Sequence, residues 1–567
     1  MSPTTVVTNA RLFTSTDDCG EDLVPGCLVV RDRLIEYVGP QGSETLAQAM
    51  ACEAPTTEVE VVDAGNRVVT PGFIDAHVHM LHFGLSLGKL DVMGCTSLEQ
   101  IRETIRAFAV ANPAAPRILC KGWIQASITG GSSHGGTPLA SMLDDLDPPH
   151  ARPIYVEALD LHSVWCSRAA LAELGVDDAT TKDPPGGTIH RDAQGRPSGL
   201  LDEGALPLLV WPFLAKTLTA QQKQTALHLA VEAYLQAGYT GVIDMAMDED
   251  EWTALETYRA RNNDELPLHI AAHWLVPYSD SDAEIQATLD RAIEVHRKYP
   301  PAMSPSFCVV GIKLIGDGVV DSCTAALSQP YGAKPNPVEP IWPAATMTRV
   351  IQQADAAGLQ IAVHAIGDRT ITQTIDAFAS LNKPLSPCRR RRHRIEHLEL
   401  ASARDAKRLG ELGITASVQP VHSDPALFKA WPTLLGTHRC RRAFPYREFL
   451  EGGAPVAFGT DAPTAAHLPL PNLYNATTRR SAIEPESTER TNPQFAVSLT
   501  AALKAATAGA AYSRHAETWT GSLRKGMSAD FLVLDMDWTP AGLLAARVRQ
   551  TWFQGRKMFD MEQGVKR

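Results

Sequence analysis

The chain has 567 residues, of which 44% are hydrophobic and 20% are charged. This composition is typical of a globular protein with a large core, and it excludes a mainly disordered, collagen-like or coiled-coil chain. Lys and Arg number 52 against 64 Asp and Glu, and the resulting net charge of −12 disfavours nucleic acid and anionic membranes as partners.

The N-terminal segment and the cysteines bear on the compartment. Residues 1–18 lack a basic region followed by an apolar one, and no run approaches the roughly 18–20 apolar residues of a membrane span. The ten cysteines include no C-x-x-C pair, which favours free thiols in a reducing cytosol over disulfides or a cysteine zinc site. We therefore expect a cytoplasmic protein.

The two ends of the chain both contain short apolar runs that predict antiparallel strands. Neither end has enough of them to close a sheet alone, so we expect residues 1–66 and 511–567 to pair into one small β domain. The predicted strands cover residues 4–12, 27–31, 34–38 and 59–62 at one end, and residues 531–534 and 548–553 at the other.

Residues 67–510 contain eight short apolar, β-branched runs, most of them followed by a helical pattern. Strands that alternate with helices in this way predict a parallel sheet, and eight such units predict a closed (β/α)8 barrel. The runs are residues 68–73, 240–244, 268–276, 309–315, 360–363, 394–398, 414–418 and 455–459. A segment of about 85–215 is too long for a simple crossover, and we expect it to form an inserted subdomain over the barrel mouth.

Histidines and one aspartate follow several of the predicted strands. Residues at the carboxyl ends of barrel strands converge on one mouth, where catalysis takes place in this architecture. Imidazole and carboxylate ligands suit zinc and similar divalent ions, so the pattern predicts a metal site. The residues are His77 and His79 after strand one, Lys313 on strand four, His364 on strand five, His397 on strand six and Asp461 after strand eight.

Several motifs carry a resemblance to a known family. The stretch from Pro71 to His79 resembles the opening signature of the amidohydrolase superfamily, and the stretch from Gly521 to Phe531 resembles its closing strand motif. Further motifs resemble the amidohydrolase-3, YtcJ-like branch, which includes N-substituted formamide deformylases. They begin at Asp160, Gly186, Lys313, His364 and Arg394.

The resemblance implies an α/β fold with a TIM barrel and a composite β-sandwich from both termini. It also implies that a divalent metal, Zn²⁺, is held as one ion, or as two if Lys313 is carboxylated. The implied ligands are His77, His79, Lys313, His364, His397 and Asp461. Leu161 and Ile124 depart from the residues that are usual in this branch, and both lie in the inserted segment.

The implied chemistry is attack of hydroxide on a carbonyl. A divalent ion lowers the pKa of its water to about 7, and Asp461 would take the water proton and return it to the leaving nitrogen. We expect His162 to assist at the oxyanion and Trp123, His134, Trp165 and Asp317 to contact substrate. His82, His422 and His467 follow strands one, seven and eight and are further candidates for such contacts.

Two residues beside His397 have a different predicted role. Arg394 and Glu396 alternate with it on strand six, so they point away from it, and we expect them to be barrel-wall partners.

The preferred hypothesis is a hydrolase of a non-peptide C–N bond in a small-molecule amide or N-substituted formamide. Two alternatives remain open at this point, because a barrel does not fix its chemistry. The same site could carry out deamination, cyclic-amide hydrolysis or isomerisation, or the chain could be a non-catalytic ligand-binding member of the fold. A homo-oligomer is also compatible with the sequence.

Overall fold

The structure is a computed structural model that describes residues 4–16, 20, 22–44, 46–47, 59–123, 138–158, 163–176, 181–184, 187–332, 336–381 and 391–565. The chain divides into two compact units, Met1–Met80 with Ala230–Arg567, and Leu81–Leu229. Among the described residues, no helix combines the length and the apolar character that crossing a bilayer requires.

The strands fall into three sheets. In chain order they are β1 (Thr4–Leu12), β2 (Val24–Arg31), β3 (Leu34–Gly39), β4 (Val59–Asp63), β5 (Val68–Pro71), β6 (Phe73–Val78), β7 (Leu90–Asp91), β8 (Ile118–Trp123), β9 (Ile154–Ala158), β10 (Ser163–Cys166), β11 (Gly187–Arg191), β12 (Pro197–Glu203), β13 (Tyr239–Met247), β14 (His269–Leu275), β15 (Phe307–Ile315), β16 (Gln360–Ala365), β17 (Arg394–His397), β18 (Thr415–Val418), β19 (Val456–Phe458), β20 (Phe531–Asp535), β21 (Arg547–Phe553), β22 (Arg556–Asp560) and β23 (Gly564–Val565).

Most of the longer helices alternate with the barrel strands. The α-helices are α1 (Met80–Leu87), α2 (Leu98–Ala111), α3 (Arg168–Glu173), α4 (Trp211–Lys216), α5 (Ala220–Ala237), α6 (Glu249–Arg261), α7 (Asp282–Lys298), α8 (Ala344–Ala356), α9 (Asp368–Ala379), α10 (Ala403–Leu412), α11 (Trp431–Leu435), α12 (Thr437–Cys440), α13 (Tyr446–Glu451), α14 (Pro469–Thr478), α15 (Leu499–Ala505) and α16 (Ala508–Tyr512).

The larger unit contains the predicted barrel. Eight parallel strands follow one another in the order β6, β13, β14, β15, β16, β17, β18 and β19. The first and last of them meet beyond β19, where the Asp461 N–H donates to His77 O at 2.7 Å and the His79 N–H donates to Ala462 O at 3.0 Å. These bonds bring the barrel close to closure, and the predicted α/β barrel fold is confirmed.

The predicted bounds of the first barrel strand were wrong. Residues 68–71 form β5, which belongs to the terminal sheet, and the barrel strand β6 begins at Phe73. Gly72 lies between the two strands, where an added Cβ would stand 2.1 Å from Oγ1 of Thr240. The chain therefore passes from one sheet to the other at Gly72, a transition that a continuous apolar run does not reveal.

The terminal sheet joins both ends of the chain. Its order is β23, β22, β21, β20, β5, β1, β2 and β3, with β4 paired to β1. Strand β5 lies at the join, since it runs parallel to β1 and antiparallel to β20. Leu12, Val69, Phe531 and Trp552 are among the residues of the core of this sheet. The first and last segments thus share one sheet, as their apolar runs predict.

The smaller unit, Leu81–Leu229, contains the third sheet. Its order is β11, β12, β10, β9, β8 and β7. Helix α2 begins after Ser97, whose side chain accepts from the Gln100 N–H, and it buries Ile101 and Ile105 in the core of this unit. An N-cap serine and apolar residues about one turn apart account for this helix.

Candidate metal centre

His77, His79 and Asp461 lie together where the two ends of the barrel sheet meet. Oδ1 of Asp461 is 3.4 Å from Nε2 of His77 and 3.3 Å from Nε2 of His79. His77 lies in β6, and His79 is the first residue after that strand. Asp461 lies in the segment that follows β19. The three side chains offer ligand atoms within 4.8 Å of one another, a spacing that a single cation can bridge.

The other two predicted histidines lie beside this group. The ring centroids of His364 and His397 are 4.4 Å apart, and those of His77 and His397 are 5.0 Å apart. Nε2 of His364 is also 3.2 Å from Gly318 O. The structure therefore brings together all four histidines and the aspartate that the sequence analysis placed at one mouth.

Two of the predicted ligands, and the residue that follows one of them, have a left-handed backbone conformation. The φ angles are +72° at His397, +54° at Leu398 and +61° at Asp461. Each such residue costs free energy and persists only where surrounding contacts fix it, which is common at functional sites. The orientation of two of the predicted ligands therefore depends on the packing around the ends of β17 and β19.

Lys313 lies in β15 and is 1% exposed. Its ammonium nitrogen and Nδ1 of His397 have no hydrogen-bond partner among the described residues. Buried polar atoms are normally paired, so two unpaired polar atoms at one site are compatible with a place for an ion or a water. The donor set, rich in imidazole and carboxylate, fits a divalent metal of the zinc type.

The protonation states also fit a cation. Burial lowers the pKa of His77 to about 4 and that of His364 to about 3, with a further contribution from Lys313 in both cases. Burial alone would raise the pKa of Asp461, but the neighbouring imidazoles, His77 first, hold it well below the usual value. Neutral imidazoles and an ionised carboxylate are the forms that bind metal.

The barrel interior holds His77 from its other side. Nδ1 of His77 is 2.8 Å from Oε2 of Glu396, and Glu396 accepts from Nε of Arg394 at 2.6 Å and from its Nη2 at 3.0 Å. Arg394 also donates to the carbonyl of Ala76 at 2.6 Å. Arg394 and Glu396 thus act as partners inside the barrel wall, and through them a carboxylate orients His77.

His422 and Glu399 add a second group of polar side chains at the mouth. Nδ1 of His422 is 3.2 Å from Oε1 of Glu399, and Nε2 of His422 is 3.8 Å from Oδ2 of Asp461. His422 was only a general candidate for substrate contact in the sequence, and Glu399 was not identified there. The signal that was available is the position of Glu399, two residues after the strand that ends in Glu396-His397.

Three residues predicted to contact substrate lie at buried positions. Asp317 is fully buried and accepts from the backbone N–H groups of Ala326, Ile366 and Gly367, so we interpret it as a residue that fixes loops. Trp123 and Trp165 lie in the core of the smaller unit, with ring centroids 6.3 Å apart. Both are core residues of that unit, and their predicted contact with substrate stays a prediction.

Two other predicted residues cannot be placed. His134, predicted to contact substrate, and His162, predicted to assist at the oxyanion, lie outside the described residues. The departures at Ile124 and Leu161 lie outside them as well. The roles assigned to these positions stay predictions.

Comparison with known proteins identifies a family. The profile described as "Amidohydrolase family" matches residues 60–559. The chain is 29% identical over 513 residues to Protein LONG AFTER FAR-RED 3 of Arabidopsis thaliana, covering 88% of this chain and 83% of that protein. It is 26% identical over 529 residues to an N-substituted formamide deformylase of Arthrobacter pascens, covering 88% of each.

A solved structure supports the fold. An uncharacterized metal-dependent hydrolase from Pyrococcus horikoshii OT3 superimposes with a TM-score of 0.74 at 22% sequence identity. The match covers 95% of this chain and 99% of that one. At this level of identity the likeness establishes the shared architecture.

Proposed function

Because the chain belongs to the amidohydrolase family, we propose that it is a metal-dependent hydrolase that cleaves a non-peptide C–N bond in a small amide or N-substituted formamide. The resemblance of its motifs to the branch that includes N-substituted formamide deformylases is confirmed by the family match and by the deformylase relative. The single observation that carries the proposal is the convergence of four histidines and Asp461 at one barrel mouth.

The residues that would hold the ion are those whose polar atoms the fold leaves facing one another. His77, His79 and Asp461 form the first group, with His364 and His397 beside it. Lys313 would join them once it is carboxylated, because an ammonium has no lone pair to donate. A bound divalent cation supplies Lewis-acid polarisation of a carbonyl and acidification of water.

Asp461 is the residue that moves the proton. Its ionised carboxylate can take a proton from water, and the same oxygen can return that proton to the leaving nitrogen when the C–N bond breaks. Burial lowers the pKa of His77 to about 4 and that of His364 to about 3, so both rings are neutral at pH 7 and can act as ligands. His162 would donate a hydrogen bond to the oxyanion.

The substrate class rests on the relatives. The deformylase relative matches across most of both chains, which supports a formamide or another small amide as substrate. Hydrolysis of an amide breaks the bond between the carbonyl carbon and the nitrogen, and it releases an amine and a carboxylic acid. For a formamide the acid is formate.

The test is a panel of N-substituted formamides and small amides with amine and acid release as the readout. We expect turnover that is lost on chelation and restored by Zn²⁺. Asp461→Asn should abolish turnover while leaving metal content largely intact, because four histidines remain. The matched control is Asp376→Asn on the exposed face of α9, which should keep full activity. Full activity in the Asp461 variant, or in chelated protein, would exclude the mechanism.

A further inference from the structure

We propose that the barrel mouth contains a second divalent-cation site, formed by His397, Glu399 and His422, so that a second ion can bind without carboxylated Lys313. The inference rests on the proposed function, because it extends the metal centre of that hydrolase to strand seven. It differs from the predicted ligand set, which includes neither Glu399 nor His422.

The first step is the geometry of the three side chains. His397, Glu399 and His422 offer one ligand atom each, and these atoms lie within 4.8 Å of one another. The rings of His397 and His422 are nearly parallel, with an interplanar angle of 11° and centroids 5.9 Å apart. Two imidazoles and a carboxylate at this spacing are a typical zinc ligand set.

The second step is the unsatisfied atom within the group. His397 is 4% exposed, and its Nδ1 makes no hydrogen bond within the part of the chain that the structure describes. A buried ring nitrogen left in this state costs free energy unless a ligand occupies it. A neutral imidazole has a single lone pair, and His397 can direct it through Nδ1 at an ion of this group while His77, His79 and Asp461 hold the other ion.

The third step is the fixed orientation of His422. Glu399 lies 3.2 Å from its Nδ1, and a carboxylate on one ring nitrogen leaves the other with its lone pair exposed. The segment Pro420–Ser423 that carries His422 is itself tied down, because the Val421 N–H donates to Oδ1 of Asn472 at 2.8 Å. His422 is therefore held in one orientation before any ion binds.

The fourth step is the position of Asp461 between the two groups. Its Oδ1 faces His77 and His79 at 3.3–3.4 Å, and its Oδ2 faces His422 at 3.8 Å. One carboxylate with each oxygen directed at a different set of imidazoles can balance the charge of two neighbouring cations. Lys313 cannot do so as an ammonium, because its positive charge would repel them.

The experiment measures Zn²⁺ stoichiometry in the full chain. Protein stripped with a chelator is dialysed against buffered Zn²⁺, and bound metal is counted by elemental analysis. We expect two equivalents in the wild type, two in Lys313→Met and one in His422→Asn, with the affinity for the second equivalent falling roughly 100-fold or more. His438→Asn, at an exposed position on α12, is the matched control and should bind two.

A second variant and an unfolding measurement distinguish loss of the site from misfolding. Glu399→Gln removes the carboxylate of the same group, and thermal unfolding of both stripped variants shows whether each is folded. Loss of one equivalent in a folded variant supports the site. One equivalent in the wild type, or two in both folded variants, overturns it, as does loss of the second equivalent in Lys313→Met alone.

The outcome is separable from that of the proposed function. If the wild type binds two equivalents and His422→Asn binds one, the second site stands even when no amide in the panel is hydrolysed. If amides are hydrolysed in a Zn²⁺-dependent way but the variants lose no equivalent, the proposed function stands and the second site fails.

Discussion

Oε2 of Glu396 lies 2.8 Å from Nδ1 of His77, although 319 positions separate the two residues in the chain. Both side chains are buried, and Arg394 holds the same carboxylate from the other side. A histidine that donates from Nδ1 to a carboxylate keeps its Nε2 lone pair directed at the ligand site. The orientation of the first predicted metal ligand is thus set from inside the barrel.

Glu396→Gln should therefore weaken metal binding. We expect Zn²⁺ affinity to fall about 10–100-fold, as is typical when the partner of a metal-binding histidine is replaced. The variant should also lose about 3–5 kcal/mol of stability, because it leaves the buried guanidinium of Arg394 without its counter-charge. Competition with a chromophoric chelator measures the affinity, and urea unfolding measures the stability.

A double variant separates these two effects. Arg394→Gln combined with Glu396→Gln removes both buried charges, so part of the lost stability should return while Zn²⁺ affinity stays low. If Glu396→Gln alone binds Zn²⁺ as tightly as the wild type, the carboxylate does not orient His77.

Lys313→Met should stabilise the metal-free protein at neutral pH. Burial lowers the pKa of Lys313 from 10.5 to about 8, so the unfolded chain binds this proton more tightly than the folded one. The buried ammonium therefore destabilises the fold fully below about pH 8, and the penalty disappears as the pH rises through 10.5. A shift of this size corresponds to about 3 kcal/mol.

The measurement is urea unfolding of chelated protein at pH 7 and at pH 10.5. The methionine variant should be more stable at the lower pH and similar to the wild type at the higher one. Lys407→Met on the exposed face of α10 is the control and should show no such pH-dependent gain. Equal stability of Lys313→Met and wild type at pH 7 would contradict the prediction.

Gly459→Ala should disturb the closure of the barrel. An added Cβ would stand 2.5 Å from the backbone nitrogen of His77 and 2.7 Å from its Cβ, so β6 and the end of β19 would have to separate. Overpacking of this kind costs about 1–3 kcal/mol. We also expect weaker Zn²⁺ binding, since His77 and Asp461 are on the two segments that would move.

The control for this variant is Gly88→Ala, where the nearest atom to an added Cβ is the carbonyl oxygen of Leu85 at 3.5 Å. Urea midpoints and Zn²⁺ affinities of the two variants are compared under the same conditions. A midpoint for Gly459→Ala equal to that of the wild type would show that the two segments tolerate the extra atom.

The barrel was predictable because its strands are short apolar runs that alternate with helical patterns. The predicted run 309–315 and the observed Phe307–Ile315 end at the same residue. The bounds of the first strand were wrong for a physical reason. Apolar residues lie on both sides of Gly72, and only packing against Thr240 shows where one sheet ends. Local patterns give the type of element, whereas tertiary contacts decide its boundary.

The meeting of four histidines and Asp461 at one mouth was predictable from their positions at the ends of strands, but the place of Glu399 was not. Its place cannot be deduced from strand alternation, because the left-handed conformations of His397 and Leu398 turn the chain directly before it. The contact between Glu396 and His77 could not be predicted from the sequence for a related reason. Alternation predicted that Glu396 faces away from His397, but it did not identify the residue of another strand that it meets.

Strand β5 has one neighbour from each end of the chain, β1 and β20. During synthesis on a ribosome, β1 emerges before β5, whereas β20 emerges only after all of the barrel strands. Until then β5 presents an open edge, the kind of surface on which nascent chains aggregate. Production of this protein should therefore be sensitive to stop codons that remove β20, although this strand contributes no residue to the candidate metal centre.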